Sequence, residues 1–428
     1  MSSRFKRAEV DVPDDDRLLF SPISIGKLTL AGRLIKTATA ETCATADGFA
    51  NQAHLDFYVP MAKGGTPLII TGNIYVGLDG KSAPRQLGVD YDDKIPALAR
   101  LVDAVHTHGS KMIAQLNHCG RQVVPRFAGT HDPVSASDIT ELVTGTKPRP
   151  LDVGEITHLI KQYADGAERC QRAGFDGVQI HAANGYLQSQ FLTPHTNRRT
   201  DDYGGRIDGR TKLLRDIVRA IKTRCGADYP LIVKMNGSDY LPLRHGLKTD
   251  DLVDIACLLE KEGVDAVEIT VGHYESGFPM VRGTFVRCLR NMVQGSMREL
   301  PFVRRWGFRL FWPLLALLFN VIFSRREGFN LAYASQFKAK LSIPVICVGG
   351  FRTLAVMQAA IEQGGCDIVS AGRAFIADPL LYHHLRDNQP RPKCVDCNAC
   401  IGHLGAQLAD CYHPVIGAQK RAMLAQRD

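Results

Sequence analysis

Late in the chain two short pairs, Gly349-Gly350 and Gly372-Arg373, have the make-up of an anion site. Glycines let backbone N–H groups approach an anion, a helix N-terminus adds its dipole, and arginine supplies a bidentate cation. A tight turn at Gly349-Gly350 is the plain alternative. His181, Asn184 and Tyr186 lie close together in sequence. They read either as a satisfied polar pair beside a core tyrosine or as donors for a reacting group. A third group, Cys394-x2-Cys397-x2-Cys400 with Cys411 beyond, stands near the C-terminus. That spacing occurs in ferredoxin iron–sulfur sites, and four thiolates also suit zinc. A tail that holds no metal is the third reading.

These residues need elements to position them. Eight short apolar runs recur, at 33–36, 67–71, 111–116, 177–180, 231–234, 266–270, 344–348 and 367–371. Each is too short for a core helix, and several are rich in β-branched residues. Amphipathic stretches separate them. One is 156–173, with Ile156, Leu159, Ile160, Tyr163 and Ala167 on one face; another is 211–222, with Leu213, Leu214, Ile217, Val218 and Ile221. Eight strand–helix units predict an α/β fold, a TIM (β/α)8 barrel. The rival is an open doubly wound sheet, but no GxGxxG follows the first strand. The predicted domains are an N-terminal extension over 1–20, the barrel over 21–390, and a cysteine-containing tail over 391–428. Barrel chemistry gathers at the C-terminal ends of the strands. The residues that fall there are Thr37, Ala38, Thr39, Asn73, Gln115, His181, Asn184, Tyr186, Lys234, Tyr274, Gly349, Gly350, Gly372 and Arg373.

The net charge of +8 is local. Between Arg282 and Arg326 stand nine Arg, no Lys and one acid, Glu299, so the rest of the chain is near neutral. No base-reading motif accompanies this charge, which argues against a nucleic-acid partner. The N-terminus has no apolar signal segment, and the 12 Cys are mostly scattered, so reduced thiols in the cytoplasm are expected. The arginines belong to an insertion, about 278–328, between the sixth and seventh strands. Its segment Leu310–Phe323 is almost wholly apolar, includes Trp312, and is bracketed by Arg304, Arg305, Arg309, Arg325 and Arg326. Fourteen residues fall short of the roughly 20 that cross a bilayer, and Pro313 interrupts them. Two compatible readings follow: a lid on the barrel mouth, or peripheral contact of 301–326 with a membrane surface.

Several segments resemble the old yellow enzymes, in the branch that includes bacterial ene-reductases and 2,4-dienoyl-CoA reductases. They are 21–41, 113–122, 174–210, 233–240, 268–277, 343–353 and 367–379. The most specific, in 181–210, reads HxxNGYL and then NxRxDxYGG. The resemblance implies FMN across the strand ends, NAD(P)H as hydride source, and reduction of a C=C bond activated by a carbonyl. It implies that Thr37, Ala38 and Thr39 meet the flavin ring and that the Thr39 hydroxyl tunes it. It further implies that Asn73 lies near the ring, that Gln115 and Lys234 face its pyrimidine edge, and that Gly349, Gly350, Gly372 and Arg373 hold the phosphate. His181 and Asn184 are expected to bind the substrate carbonyl, Tyr186 to protonate the α-carbon, and Tyr274 to shape the substrate pocket. Asn197, Arg199, Asp201, Tyr203 and Arg210 read as a structural network in the fourth loop.

This sequence also departs from the family. Thr37 and Ala38 stand where relatives often have Pro and Met or Leu, Lys234 where most have Arg, and Asn73 where many have Ala or Gly. In dienoyl-CoA reductases a related cysteine run binds a 4Fe–4S cluster, with three residues rather than two between its second and third Cys. An enone or enoyl small molecule is the expected substrate. The alternatives are a dienoyl-CoA-type reductase or demethylase with a metal cluster in the tail, and a membrane-docked flavin-binding module. The oxidases of hydroxy acids need a late catalytic His near the seventh strand, which is missing here.

Overall fold

A computed structural model describes residues 17–123, 132–241, 245–404 and 407–426. The eight expected runs form eight parallel strands: β1 Leu34–Lys36, β2 Leu68–Tyr75, β3 Lys111–Asn117, β4 Gly177–Ala182, β5 Leu231–Asn236, β6 Ala266–Thr270, β7 Val345–Val348 and β8 Ile368–Ala371. They pair in sequence order, and β8 pairs β1, which closes the barrel.

Two-residue alternation along the strands sorts the interior into layers. Ile35, Ile70, Ile113, Ile232, Ile346 and Ile368 form one buried apolar cluster, closed from below by Ile25, Leu28 and Leu30 of an N-terminal hairpin. Two residues further along their strands come Thr37, Gln115, Lys234 and Ser370, with Gln179 and Glu268, all buried. The barrel therefore changes from dry to polar within one pleat, towards the strand C-termini.

The outer helices follow their own local chemistry. Val153–Arg172 begins with a reciprocal cap, Asp152 accepting from Glu155 N–H at 2.8 Å and Glu155 accepting from Asp152 N–H at 2.9 Å. Its buried face is Ile156, Leu159, Tyr163, Ala167 and Cys170, at helical spacing.

Of the N-terminal extension, residues 1–16 lie outside the described residues, while Leu19 and Phe20 are buried in the main core. The insertion forms two α-helices, Val286–Gln294 and Phe302–Ile322, with a 3-10 turn at Ser296–Glu299 between them. The expectation that Pro313 breaks the apolar run is corrected here, because the second helix runs through it for 21 residues. Proline costs a helix about 3 kcal/mol through its missing N–H. Here the turns that follow it are anchored by the inward residues Ala316 and Phe323, which are buried against Phe285, Cys288 and Leu289. In the tail, Ala399–Gly402 and Pro414–Ala425 are helical.

Candidate active site

The polar layer is a hydrogen-bonded unit centred on Glu268. Thr37 Oγ1 donates to Glu268 Oε1 at 2.5 Å, Ser370 Oγ to the same oxygen at 2.7 Å, and Gln179 Nε2 to Oε2 at 2.9 Å. Lys234 Nζ stands 3.3 Å from Oε2 and donates to Thr37 Oγ1 at 2.9 Å. Burial acts to raise the Glu268 carboxyl, but Lys234 and the three hydrogen bonds outweigh it and hold it below the usual carboxylate range. Gln115 donates to Gln179 at 2.7 Å. Sequence reasoning found Thr37, Gln115 and Lys234 but missed Glu268. The signal was present, since Glu268 is the lone acid in the buried run AVEIT.

Lys36 is a second missed residue. It is fully enclosed, and its Nζ donates to Thr37 O and to Thr39 Oγ1, both at 2.7 Å. Burial chiefly, with Lys234 adding to it against the pull of Glu41 and Glu268, lowers its pKa to about 7. The hydroxyl of Thr39 thus has a titratable amine as its partner.

β4 ends in a left-handed reversal. Asn184 has φ +55° and Gly185 φ +85°, and a Cβ on Gly185 would fall 2.5 Å from Gln122 Oε1. The reversal delivers Tyr186 to the start of the short helix Leu187–Leu192. Its ring centroid lies 4.6 Å from that of His181, and its hydroxyl lies 3.3 Å from the Tyr274 hydroxyl. Burial, and then Tyr274, push the Tyr186 phenol well above its ordinary pKa. Burial, with Lys234 adding to it, drives His181 well below its own. Nδ1 of His181 accepts from Ala183 N–H at 3.4 Å, which assigns the proton of the neutral ring to Nε2.

Asn184 does not present a free amide. Its Nδ2 donates to Val271 O at 3.1 Å and Gly272 O at 3.4 Å, and so ties the fourth loop to the sixth. Beside Tyr274, Glu275 accepts from Arg121 and His195, each at 2.8 Å, and from Leu142 N–H at 2.9 Å. Against burial, His195 and Arg121 bring it down to about 2. The fourth loop is held as expected by Asn197, which donates to Phe191 O and Tyr203 O.

At the seventh and eighth strand ends, Gly350 has φ +70°, and a Cβ on Gly372 would meet the methyls of Thr39 and Thr37 at 3.0 and 3.3 Å. A Cβ on Gly349 would meet Asn330 N at 3.1 Å and Phe329 N at 3.2 Å. Arg282 Nε, at the same end, is buried without a hydrogen-bond partner among the described residues. A side-chain-free cradle with an unsatisfied cationic donor fits an anionic group such as the FMN phosphate. Arg373 itself is engaged within the protein. It donates to Arg282 O at 2.8 Å and stands 3.3 Å from Asp396, which also pairs with Arg352 and Arg325.

Above these groups opens a cavity of about 1080 Å³. Ala40, Asn73, Gln122, Tyr186 and Tyr274 line its floor side, and Phe308, Leu315, Phe319 and Phe323 of the insert helix line its roof. The lid reading of the insertion thus has a geometric basis. Cys394, Cys397, Cys400 and Cys411 line one separate small pocket with Arg373. Among the described residues no three His, Cys, Asp or Glu are grouped to hold a single metal ion.

The model of the NADH:flavin oxidoreductase / NADH oxidase family matches residues 18–290, and that of dihydrouridine synthase matches 323–423. The NADH oxidase of Thermoanaerobacter brockii is 32% identical over 90% of this chain and 53% of its own length. The NADPH dehydrogenase of Listeria welshimeri is 36% identical over 59% of this chain and 73% of its own. The chain spans about half the length of the first curated relatives it matches. Among solved structures, an old yellow enzyme homologue from Zymomonas mobilis superposes with a TM-score of 0.69 over 94% of this chain and 99% of that one, at 23% identity. 2-Naphthoyl-CoA reductase superposes with a TM-score of 0.79 at 24% identity, over 94% of this chain and 58% of that one. At such identities these likenesses speak for the barrel alone.

Proposed function

The chain belongs to the NADH:flavin oxidoreductase / NADH oxidase family, whose cofactor is FMN, and on that premise we propose that it reduces a C=C bond conjugated to a carbonyl at the expense of NAD(P)H. One observation carries this reading: the Tyr186 phenol faces the cavity beside the Tyr274 hydroxyl and in contact with the neutral ring of His181. FMN, when bound, carries hydride from the nicotinamide to the substrate. Gln115 and Lys234 would hold its pyrimidine edge, Thr37 to Thr39 and Asn73 its ring, and Gly349, Gly350, Gly372 and Arg373 its phosphate.

The chain's own residues handle the charge and the proton. As the β-carbon is attacked, negative charge develops on the carbonyl oxygen, and His181 Nε2–H is the donor that meets it. Asn184 positions the loop rather than the substrate, because its amide is bound to Val271 and Gly272. Tyr186 then gives its proton to the α-carbon. A phenol with a raised pKa is a weak acid, but it remains protonated throughout the working range, and a basic enolate can take that proton. Steady-state conversion of cyclohexenone to cyclohexanone with NADH or NADPH tests the proposal. No turnover with any enone would leave the membrane-docked flavin-binding module in its place.

A second reading, compatible with the first, rests on the tail. Four thiols line one pocket although no three potential ligands there suit a single ion. A four-iron cluster sets its thiolates further apart than one zinc ion does, so Cys394, Cys397, Cys400 and Cys411 are candidates to hold an iron–sulfur cluster, as a dienoyl-CoA-type reductase or demethylase requires. Anaerobically purified protein is then expected to contain iron and acid-labile sulfide. Stoichiometric zinc, or no metal, counts against the cluster.

A further inference from the structure

The helix Phe302–Ile322 has two apolar faces and only one of them is used. Phe308, Leu315, Phe319 and Phe323 turn inward and roof the cavity. Phe319 packs its ring 5.6 Å from Phe285 and 5.9 Å from Phe278. Val303, Trp306, Leu310, Leu314, Leu317 and Val321 recur at helical spacing on the opposite side, where Leu310 is 70% exposed, Leu314 65% and Val321 77%. An apolar ridge of this length is more than a soluble surface ordinarily leaves uncovered.

Charge identifies what covers it. Arg290, Arg298, Arg305 and Arg309 line one groove of about 680 Å³ along the flank of the ridge, together with Gln294 and Trp312. All four arginines are exposed, and none forms an ion pair among the described residues. Glu299 is the one acid between Arg282 and Arg326. A second copy meeting this face symmetrically would set arginine against arginine, whereas anionic phospholipid satisfies the arginines and the ridge together. By length and composition the helix is able to cross a membrane. Its inner face is already packed on Phe285, Cys288 and Leu289 of the same insertion, and Arg304, Arg305 and Arg309 occupy its first half, so it lies in the interface.

We infer that the helix Phe302–Ile322 docks the protein on an anionic bilayer and forms the wall between that bilayer and the catalytic cavity, so that the substrates are lipophilic molecules drawn from the membrane. The docking stands on the surface alone; the substrate class rests on the reductase reading above.

The test is co-sedimentation of the full holoprotein with phosphatidylcholine vesicles, with and without phosphatidylglycerol. The expected result is binding to the anionic vesicles that weakens at high salt. Arg305→Gln/Arg309→Gln is expected to lower the affinity about 30-fold, at roughly tenfold per 1.4 kcal/mol and about 1 kcal/mol for each arginine near the surface. Leu310→Gln/Leu314→Gln/Leu317→Gln is expected to abolish binding. These side chains face away from the cavity, so flavin content and turnover of a water-soluble enone serve as folding controls and should be unchanged. An enone with a long alkyl chain, dissolved in the vesicles, is expected to turn over at least tenfold slower with the triple variant. Wild-type protein that stays in the supernatant overturns the docking, and a dimer that the triple variant dissociates assigns the ridge to a second copy. Equal turnover of the long-chain enone by both proteins overturns the substrate class. Vesicle binding without turnover of any enone removes the reductase reading and leaves the docking intact.

Discussion

Lys234 Nζ stands 3.3 Å from Glu268 Oε2, with both side chains almost closed off from water. The pair joins β5 to β6 inside the barrel, and Thr37 and Ser370 extend it to β1 and β8. Breaking a buried pair leaves one charge without a partner. Glu268→Ala is therefore expected to destabilise the fold by about 3–5 kcal/mol, while Lys234→Met with Glu268→Leu costs less than either single change. Urea unfolding monitored by tryptophan fluorescence checks this. A Glu268→Ala midpoint equal to wild type contradicts it.

Tyr186→Phe separates the two half-reactions. Removing the phenol takes away a proton donor but nothing that NAD(P)H needs, so flavin reduction is expected at its normal rate. Reoxidation by cyclohexenone should slow by about 10²–10⁴-fold. Stopped-flow absorbance resolves the two steps, and equal slowing of both refutes the assignment.

His181 and Asn184 are expected to differ. His181→Ala removes the donor to the carbonyl oxygen and should lower kcat/KM about 10²-fold or more, with Asn184→Ala the milder change and seen mainly in KM. The unfolded His181 takes up a proton near pH 6.5 that the buried ring refuses. Its contribution to stability is thus complete above pH 6.5 and is lost as pH falls below that value. His181→Ala should make stability less pH-dependent on the acid side, as thermal melts across that range will read.

Lys36 gives the opposite end of the pH scale. Its ordinary pKa of 10.5 falls to about 7 in the folded chain. Between those values the unfolded chain holds a proton that the folded one has released, so stability rises with pH across the window. The slope is about 1.4 kcal/mol per pH unit for one proton. Lys36→Met is expected to remove that slope. An identical pH dependence of unfolding in wild type and variant would show that Lys36 keeps its charge when folded.

The barrel was legible because its strands are short apolar runs whose period and punctuation are local properties. All eight expected runs are strands, and the helix expected over 156–173 spans Val153–Arg172. The site was legible as far as it follows from strand ends. What sequence could not show were partners brought together by closure of the barrel. Glu268 acquires meaning only when Thr37, Gln179, Lys234 and Ser370 converge on it from four other strands. Asn184 reads as a free donor until the sixth loop supplies Val271 O and Gly272 O. Arg373 reads as a phosphate ligand, yet the tail adds Asp396 to it. Pro313 was weighed by its local cost, whereas the helix around it is set by aromatic packing on Phe278 and Phe285.

The central claim is most directly tested by the absorption spectrum of the purified protein, followed anaerobically through addition of NADH or NADPH and then cyclohexenone. The account predicts a bound-flavin spectrum that bleaches with the reduced nicotinamide and returns with the enone, with cyclohexanone formed in equal amount. A protein that binds no FMN, or a bleached flavin that no enone restores, contradicts it.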